Sequence, residues 1–215
     1  MGKKFEDIQT SYMYLLDSYL EARLAFIVYS GFVKRNKKNP LNEDDSFIHA
    51  VILSCIKTIV LILGNHLTNN SDSITLNCLE NLVRNSRAQF DKESYKQALN
   101  VFSDLNEVIA SNNELVQRIV AYRNQIIAHI DRIRVNNPAE LLARTKLSLD
   151  DFEKLLALIG SFLNEIGSIF GITNTEEDLI QIGNYQLEQE TFAIFDFIKD
   201  FRDNNPGLYF IDSGN

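Results

Sequence analysis

The chain has 215 residues, 45% of them hydrophobic and 23% charged, with 3 Pro and no Trp, a composition that can bury a substantial core. Its formal net charge of −8 argues against a general nucleic-acid coat, whose affinity comes from massed cations. Met1-Gly2-Lys3-Lys4-Phe5 runs into charged residues with no apolar stretch behind it, unlike a signal peptide, and Cys55 and Cys78 have no metal-ligand spacing, which fits a reducing cytoplasm.

Nearly every segment repeats its apolar residues with helical period, and none alternates convincingly as a strand. From Phe5 to about Arg35 the repeat is Ile8, Tyr12, Leu15, Tyr19, Leu20, Leu24, Ile27 and Phe32. It ends in Lys34-Arg35-Asn36-Lys37-Lys38-Asn39-Pro40, cations that either complement the helix dipole or contact RNA, followed by a breaker. A second helix is expected from Asn42–Asp45 to a C-cap at Gly64-Asn65. It is apolar nearly all round and reads as the central helix. Its most apolar part, Val51 to Leu63, is interrupted by Lys57 and is shorter than the roughly 20 residues a bilayer requires. Short helices follow over Ser73–Arg87 and Asp91–Ala110. Ser111-Asn112-Asn113-Glu114 matches a capping box that would open the next helix, which should stop at Asn136-Asn137-Pro138. Ser148-Leu149-Asp150-Asp151 caps a helix running to about Phe170. A last helix spans about Thr175 to Asp203, with a break at Gly183, and its stripe Phe192, Phe195, Ile198, Phe201 is either core or a partner groove. Residues 204–215 read as a loose tail. With no internal repeat or low-complexity linker, the chain reads as one all-α domain over 1–215, a bundle of six or seven helices.

The helix after Ser111 carries an anomaly. Its apolar stripe is Leu115, Ile119, Tyr122, Ile126, Ile130 and Ile133, broadened by Val116, Val120 and Ile127. At about 100° per residue, Arg123 falls near the middle of that arc and His129 at its edge, in line with Tyr122. An arginine is rarely buried without an anion beside it, so the pattern asks for one from the protein, a partner chain or a ligand. Glu107 or Asp131 could supply it, and His129 could be a core histidine with its hydrogen bonds satisfied. The surroundings are basic. Residues 115–146 hold Arg118, Arg123, Arg132, Arg134, Arg144 and Lys146 against Asp131 and Glu140, a net +4 that leaves −12 for the rest of the chain.

Arg123-Asn124, an apolar pair, then Ala128-His129 resembles the signature of HEPN domains, α-helical domains found in many bacterial defence and toxin ribonucleases. That signature is an arginine, four to six residues and a histidine, often with Asn, Asp or His after the arginine; here five residues intervene. The run Tyr122 to Asp131, the segment Ser71-Asp72-Ser73-Ile74-Thr75-Leu76 after the second helix, and a leucine-rich helix about twenty residues past the histidine resemble the abortive-infection (AbiU-type) branch. The likeness covers roughly residues 5–172, leaving 173–203 as a C-terminal helical part. Asp131 stands where toxins paired with a nucleotidyltransferase antitoxin commonly carry a tyrosine, so modification of such a tyrosine is not a control device in this chain.

The resemblance implies a homodimer, formed through the motif helix, that cleaves RNA in phage defence or a toxin–antitoxin system. His129 would transfer protons near neutral pH, Arg123 would hold two phosphate oxygens through its planar fork, and Asn124 would position the phosphate or His129. Arg118, Arg132 and Arg134 are candidate RNA contacts. A two-fold axis would bring two Arg123 and two His129 to one cleft, where the paired arginines need an anion between them. No cofactor, metal or membrane is implied, and an antitoxin is a possible partner. The alternative is a non-catalytic module that binds RNA or a nucleotide, or that only holds a dimer together. A helical-bundle enzyme acting on a small ligand would need a deep polar pocket away from residues 122–131, and nothing in the sequence nominates one.

Overall fold

The computed structural model describes residues 3–38, 46–68, 73–129, 147–171 and 176–204. Among them are seven α-helices and no strand: α1 (Lys3–Lys38), α2 (Ser46–His66), α3 (Leu76–Arg84), α4 (Lys92–Ser111), α5 (Asn113–His129), α6 (Leu149–Ile169) and α7 (Glu176–Asn204), with a 3₁₀ turn over Arg87–Gln89. The all-α expectation holds.

The hub is α1, not α2. Its 36 residues extend about 54 Å at 1.5 Å per residue, and it packs against α2, α3, α6 and α7. Ile8, Tyr12, Leu15, Ile27 and Phe32 are buried as their spacing predicts, whereas Leu24 is 49% exposed. The inner face of α1 meets α6 through the Tyr12 hydroxyl, which donates to the Leu163 carbonyl at 3.1 Å, and through the Tyr12 ring, set edge-on to Phe170 at 5.8 Å. Full burial of each such side chain contributes about 1.5–3 kcal/mol. Between α4 and α6, the Phe102 and Phe162 rings meet at 5.2 Å with their planes tilted by 55°.

A smaller cluster of Phe32, Ile48 and Phe195 joins α1, α2 and α7. Beside it Arg35 grips Asp196 with a two-pronged hydrogen bond, and Lys34 pairs with Glu188 at 3.2 Å. These two cations of the run after Phe32 therefore hold α7. Phe195 is fully buried, while Ile194 and Phe197 on the same helix are exposed.

Four boundaries differ from the sequence expectation. Ser111 does not cap α5: it closes α4, its hydroxyl donating back to the Glu107 carbonyl at 2.8 Å, and the Asn112 side chain likewise turns back to Val108. The two helices thus meet at a single residue, Asn112, and the backward hydrogen bond outcompetes the cap. Gly64 and Asn65 do not end α2, which continues to His66. Thr75 rather than Ser73 starts α3, its hydroxyl accepting from the Cys78 amide. And α7 passes Gly183 without interruption. The Ser148 capping box forms as expected, with Asp151 returning the hydrogen bond, and α6 ends before Gly171, whose φ of 71° suits only glycine. The expected stop at Asn136-Asn137-Pro138 and the tail after 204 lie outside the described residues.

The apolar stretch of α2 is longer than Val51–Leu63. Phe47–His66 is 20 residues with a mean hydropathy of 2.2, long and apolar enough to cross a membrane by length and composition, and 33% of it is buried. It lies against α1 and α5, with Ile56, Ile59, Val60 and Leu63 buried and Phe47 exposed.

Candidate active site

The site is built where α2 crosses α5. Leu115, Ile119 and Tyr122 are buried and fix the rotation of α5 about its axis. Tyr122 goes in so deeply that its hydroxyl has no hydrogen-bond partner, and burial raises its pKa above the ordinary phenol range, so it stays neutral. With Tyr122 inward, Arg123 is carried over α2. A Cβ at Gly64 would lie 2.7 Å from the Arg123 Cβ and 3.0 Å from its Cγ and Cδ. Glycine at 64 therefore lets the arginine stem lie flat on the helix backbone. The stem covers apolar surface, and the charged head emerges at the edge.

That head is held by neutral oxygens. Arg123 Nε donates to Asn65 Oδ1 at 2.8 Å and Nη1 donates to Asn124 Oδ1 at 3.0 Å. Neither carboxylate proposed as its counter-ion fills that role among the described residues: Glu107 is exposed on α4 and makes no pair with it, and Asp131 lies outside them. The guanidinium is oriented by two amides, and no described acid balances its charge.

One residue along, Asn124 also lines a half-open cavity of about 610 Å³ bordered by α3, α4, α5 and the end of α2. Its lining includes Asn77, Glu80, Asn106 and Gln117 as well as His66. Glu80 is buried yet satisfied: Arg84 donates to it through Nε and Nη2 at 2.8 and 2.6 Å, and Asn106 Nδ2 at 3.2 Å. His66 is also buried. Its Nε2 sits 2.7 Å from Ser18 Oγ, whose own hydroxyl donates to the Leu15 carbonyl. The shared proton therefore belongs to Nε2, and Nδ1 is left as a buried acceptor without a partner. Burial lowers the His66 pKa to about 4, so the ring is neutral near pH 7.

The other sequence candidates are placed unevenly. His129 is the last residue of α5, about 1.7 turns beyond Arg123 by helix geometry, and its side chain lies outside the described ones. Arg118, about 1.4 turns before Arg123, reaches Asp151 at 3.5 Å, at the N-terminal end of α6. Arg132 and Arg134 lie outside the described residues. The profile of the AbiU2 family of HEPN domains matches residues 7–192. The chain belongs to that family. None of the curated proteins and none of the solved structures compared with it matches.

In this AbiU2-type HEPN domain, Arg123 and Asn124 of the motif are brought together in a direct contact. Sequence reasoning missed the two residues across from them. Gly64 and Asn65 look like a helix stop when α2 is read alone. The signal that identifies them is that the apolar period of α2 continues through Leu63 to the His66 turn, making Gly-Asn an internal pair on a packing face. Chemically the arrangement offers a fixed cationic fork beside an uncharged, hydrogen-bonding wall, which suits a phosphate with an attached polar group. Among the described residues no group of three or more His, Cys, Asp or Glu is clustered for a metal ion.

Proposed function

We propose that this abortive-infection HEPN domain is a metal-independent endoribonuclease, acting as a cytoplasmic homodimer in phage defence or a toxin–antitoxin system. The observation that carries the reading is Arg123 held by Asn65 and Asn124 with no described carboxylate against it. An arginine placed in this way can meet a phosphate with two parallel N–H donors. Two copies related by a two-fold axis would supply two Arg123 to the five-coordinate phosphate and two His129 for proton transfer. One His129 takes the proton of the 2′-hydroxyl as that oxygen attacks phosphorus. The P–O5′ bond breaks, and the second His129 gives a proton to the departing oxygen. The products are a 2′,3′-cyclic phosphate and a 5′-hydroxyl end, with no redox change. Arg118, and Arg132 and Arg134 beyond His129, would contact flanking phosphates. The apolar helix α2, half-buried along much of its length with Phe47 exposed, has surface left for self-association.

The test is cleavage of labelled tRNA and mRNA in EDTA by wild type and His129→Ala, with the mass of each in solution measured alongside. Each proton transfer is worth about 10²–10⁴ in rate. The reading expects wild-type cleavage with cyclic phosphate ends and at least about a hundredfold loss in the variant, both proteins dimeric. A folded, dimeric wild type that leaves both RNAs intact would refute it in favour of a binding module.

A further inference from the structure

The cavity beside Asn124 has no role in the cleavage chemistry, and its lining is unlike that of a packing defect. Voids left by imperfect packing are small and apolar. This one measures about 610 Å³, within the range of small-molecule sites. Its walls come from four helices: Leu76, Leu105 and Val116 are buried apolar side chains, while Asn77, Gln117 and Asn124 offer amides from its exposed rim. Glu80 lies deeper, with its carboxylate held in place by Arg84 and Asn106. The combination of flat apolar walls with an edge of amide donors and acceptors is what a nucleobase requires. Its faces are apolar, and its edge pairs with Asn, Gln and carboxylate groups.

The connection to the phosphate site is covalent and short. Gln117, Val120, Ala121 and Asn124 follow one face of α5 at helical spacing and line the cavity. The adjacent residue, Arg123, faces α2 and is bonded to Asn124. Asn124 is therefore a shared wall, with the phosphate-binding fork on one side and the cavity on the other. We infer that the cavity between α3, α4 and α5 receives the nucleobase adjoining the phosphate on Arg123, and that it favours bases carrying an exocyclic amine. The amine is the donor that the amide oxygens at the rim can accept, together with Glu80 Oε2, which takes one hydrogen bond from Asn106 and has a second lone pair; uracil has none. This inference rests on the phosphate reading of Arg123 for its orientation, but base binding does not require cleavage.

The probes are the four ribonucleoside 5′-monophosphates and the corresponding nucleosides, titrated up to millimolar concentration by NMR or calorimetry. The 215-residue chain is used as wild type, Asn77→Ala, Gln117→Ala and Arg123→Ala; positions 77 and 117 are exposed, so those truncations leave the core intact. At least one of AMP, GMP and CMP should bind about tenfold more tightly than UMP. Asn77→Ala and Gln117→Ala should weaken the amine-bearing nucleotides several-fold and narrow the gap to UMP. Arg123→Ala should weaken nucleotides but leave nucleosides unchanged. No saturable binding, equal binding of all four, or indifference to both rim variants would overturn the inference. His129-dependent RNA cleavage with any of those results would remove the base pocket and leave the nuclease standing. Base-selective binding in a protein that leaves RNA intact would do the reverse.

Discussion

Acidification from pH 7.5 to pH 5 should destabilise the fold by about 2 kcal/mol through His66 alone. Burial against α1 pushes its pKa down to about 4 from an ordinary 6.5, because the charged ring would lose its hydration. The folded state therefore resists the proton, while the unfolded chain takes it up as pH falls through 6.5. Between 6.5 and about 4 the unfolded state binds more protons, so stability is full above that window and declines across it; below 4 this group adds no further slope. At 1.36 kcal/mol per unit the whole window is worth about 3 kcal/mol, of which about 2 has been lost by pH 5. For a chain of this length the melting temperature should fall by about 4–8 °C. Urea unfolding followed by circular dichroism, on wild type and His66→Gln at both pH values, isolates the effect, since the other acids titrate in both proteins. An equal pH loss in the two proteins would refute the reasoning, as would an NMR titration of His66 centred near 6.5.

Gly64→Ala should destabilise the protein by about 1–2 kcal/mol in the same urea assay, because overpacking against the Arg123 stem outweighs the roughly 1 kcal/mol gain in helix propensity. Asn65→Leu removes the acceptor for Arg123 Nε. A bond to a charged donor is worth about 1.5–3 kcal/mol, so the melting temperature should fall by about 3–12 °C, and kcat/KM for RNA cleavage should fall about 10–100-fold at a temperature where the variant is folded. Phe102→Ala, at a fully buried ring, should cost about 3–5 kcal/mol with no change in the protein's affinity for inorganic phosphate. Ser148→Ala breaks the capping box of α6 and should cost about 1 kcal/mol by thermal melting.

The helices and their buried stripes were legible because burial imposes a period, and Ile8, Tyr12, Leu15, Ile119 and Tyr122 sit where that period puts them. The motif pair was legible as an anomaly, since an arginine on an apolar arc violates the burial rule wherever it lands. What orients it was not. Asn65 lies 58 residues away, and a glycine–asparagine pair carries the same local propensity whether it ends a helix or packs inside one; only the tertiary crossing of α2 and α5 decides between them. Ser111 fails for a related reason: its hydroxyl can cap forward or bond backward, and the choice depends on where α4 is held by α6. The cavity was invisible because its amides come from three helices, α3, α4 and α5, none of which is unusual alone.

The way Arg123 is held bears on what can replace it. Both of its described contacts use nitrogens that only a guanidinium has, Nε and Nη1, and they freeze a long side chain before any anion arrives. The entropy of ordering that chain is spent on folding, so an incoming oxyanion meets a rigid receptor. A lysine at 123 would keep the charge yet lack the planar fork and the Nε that Asn65 engages. It would wave a solvated ammonium over α2, and the α2–α5 crossing would survive as a scaffold that no longer aims anything.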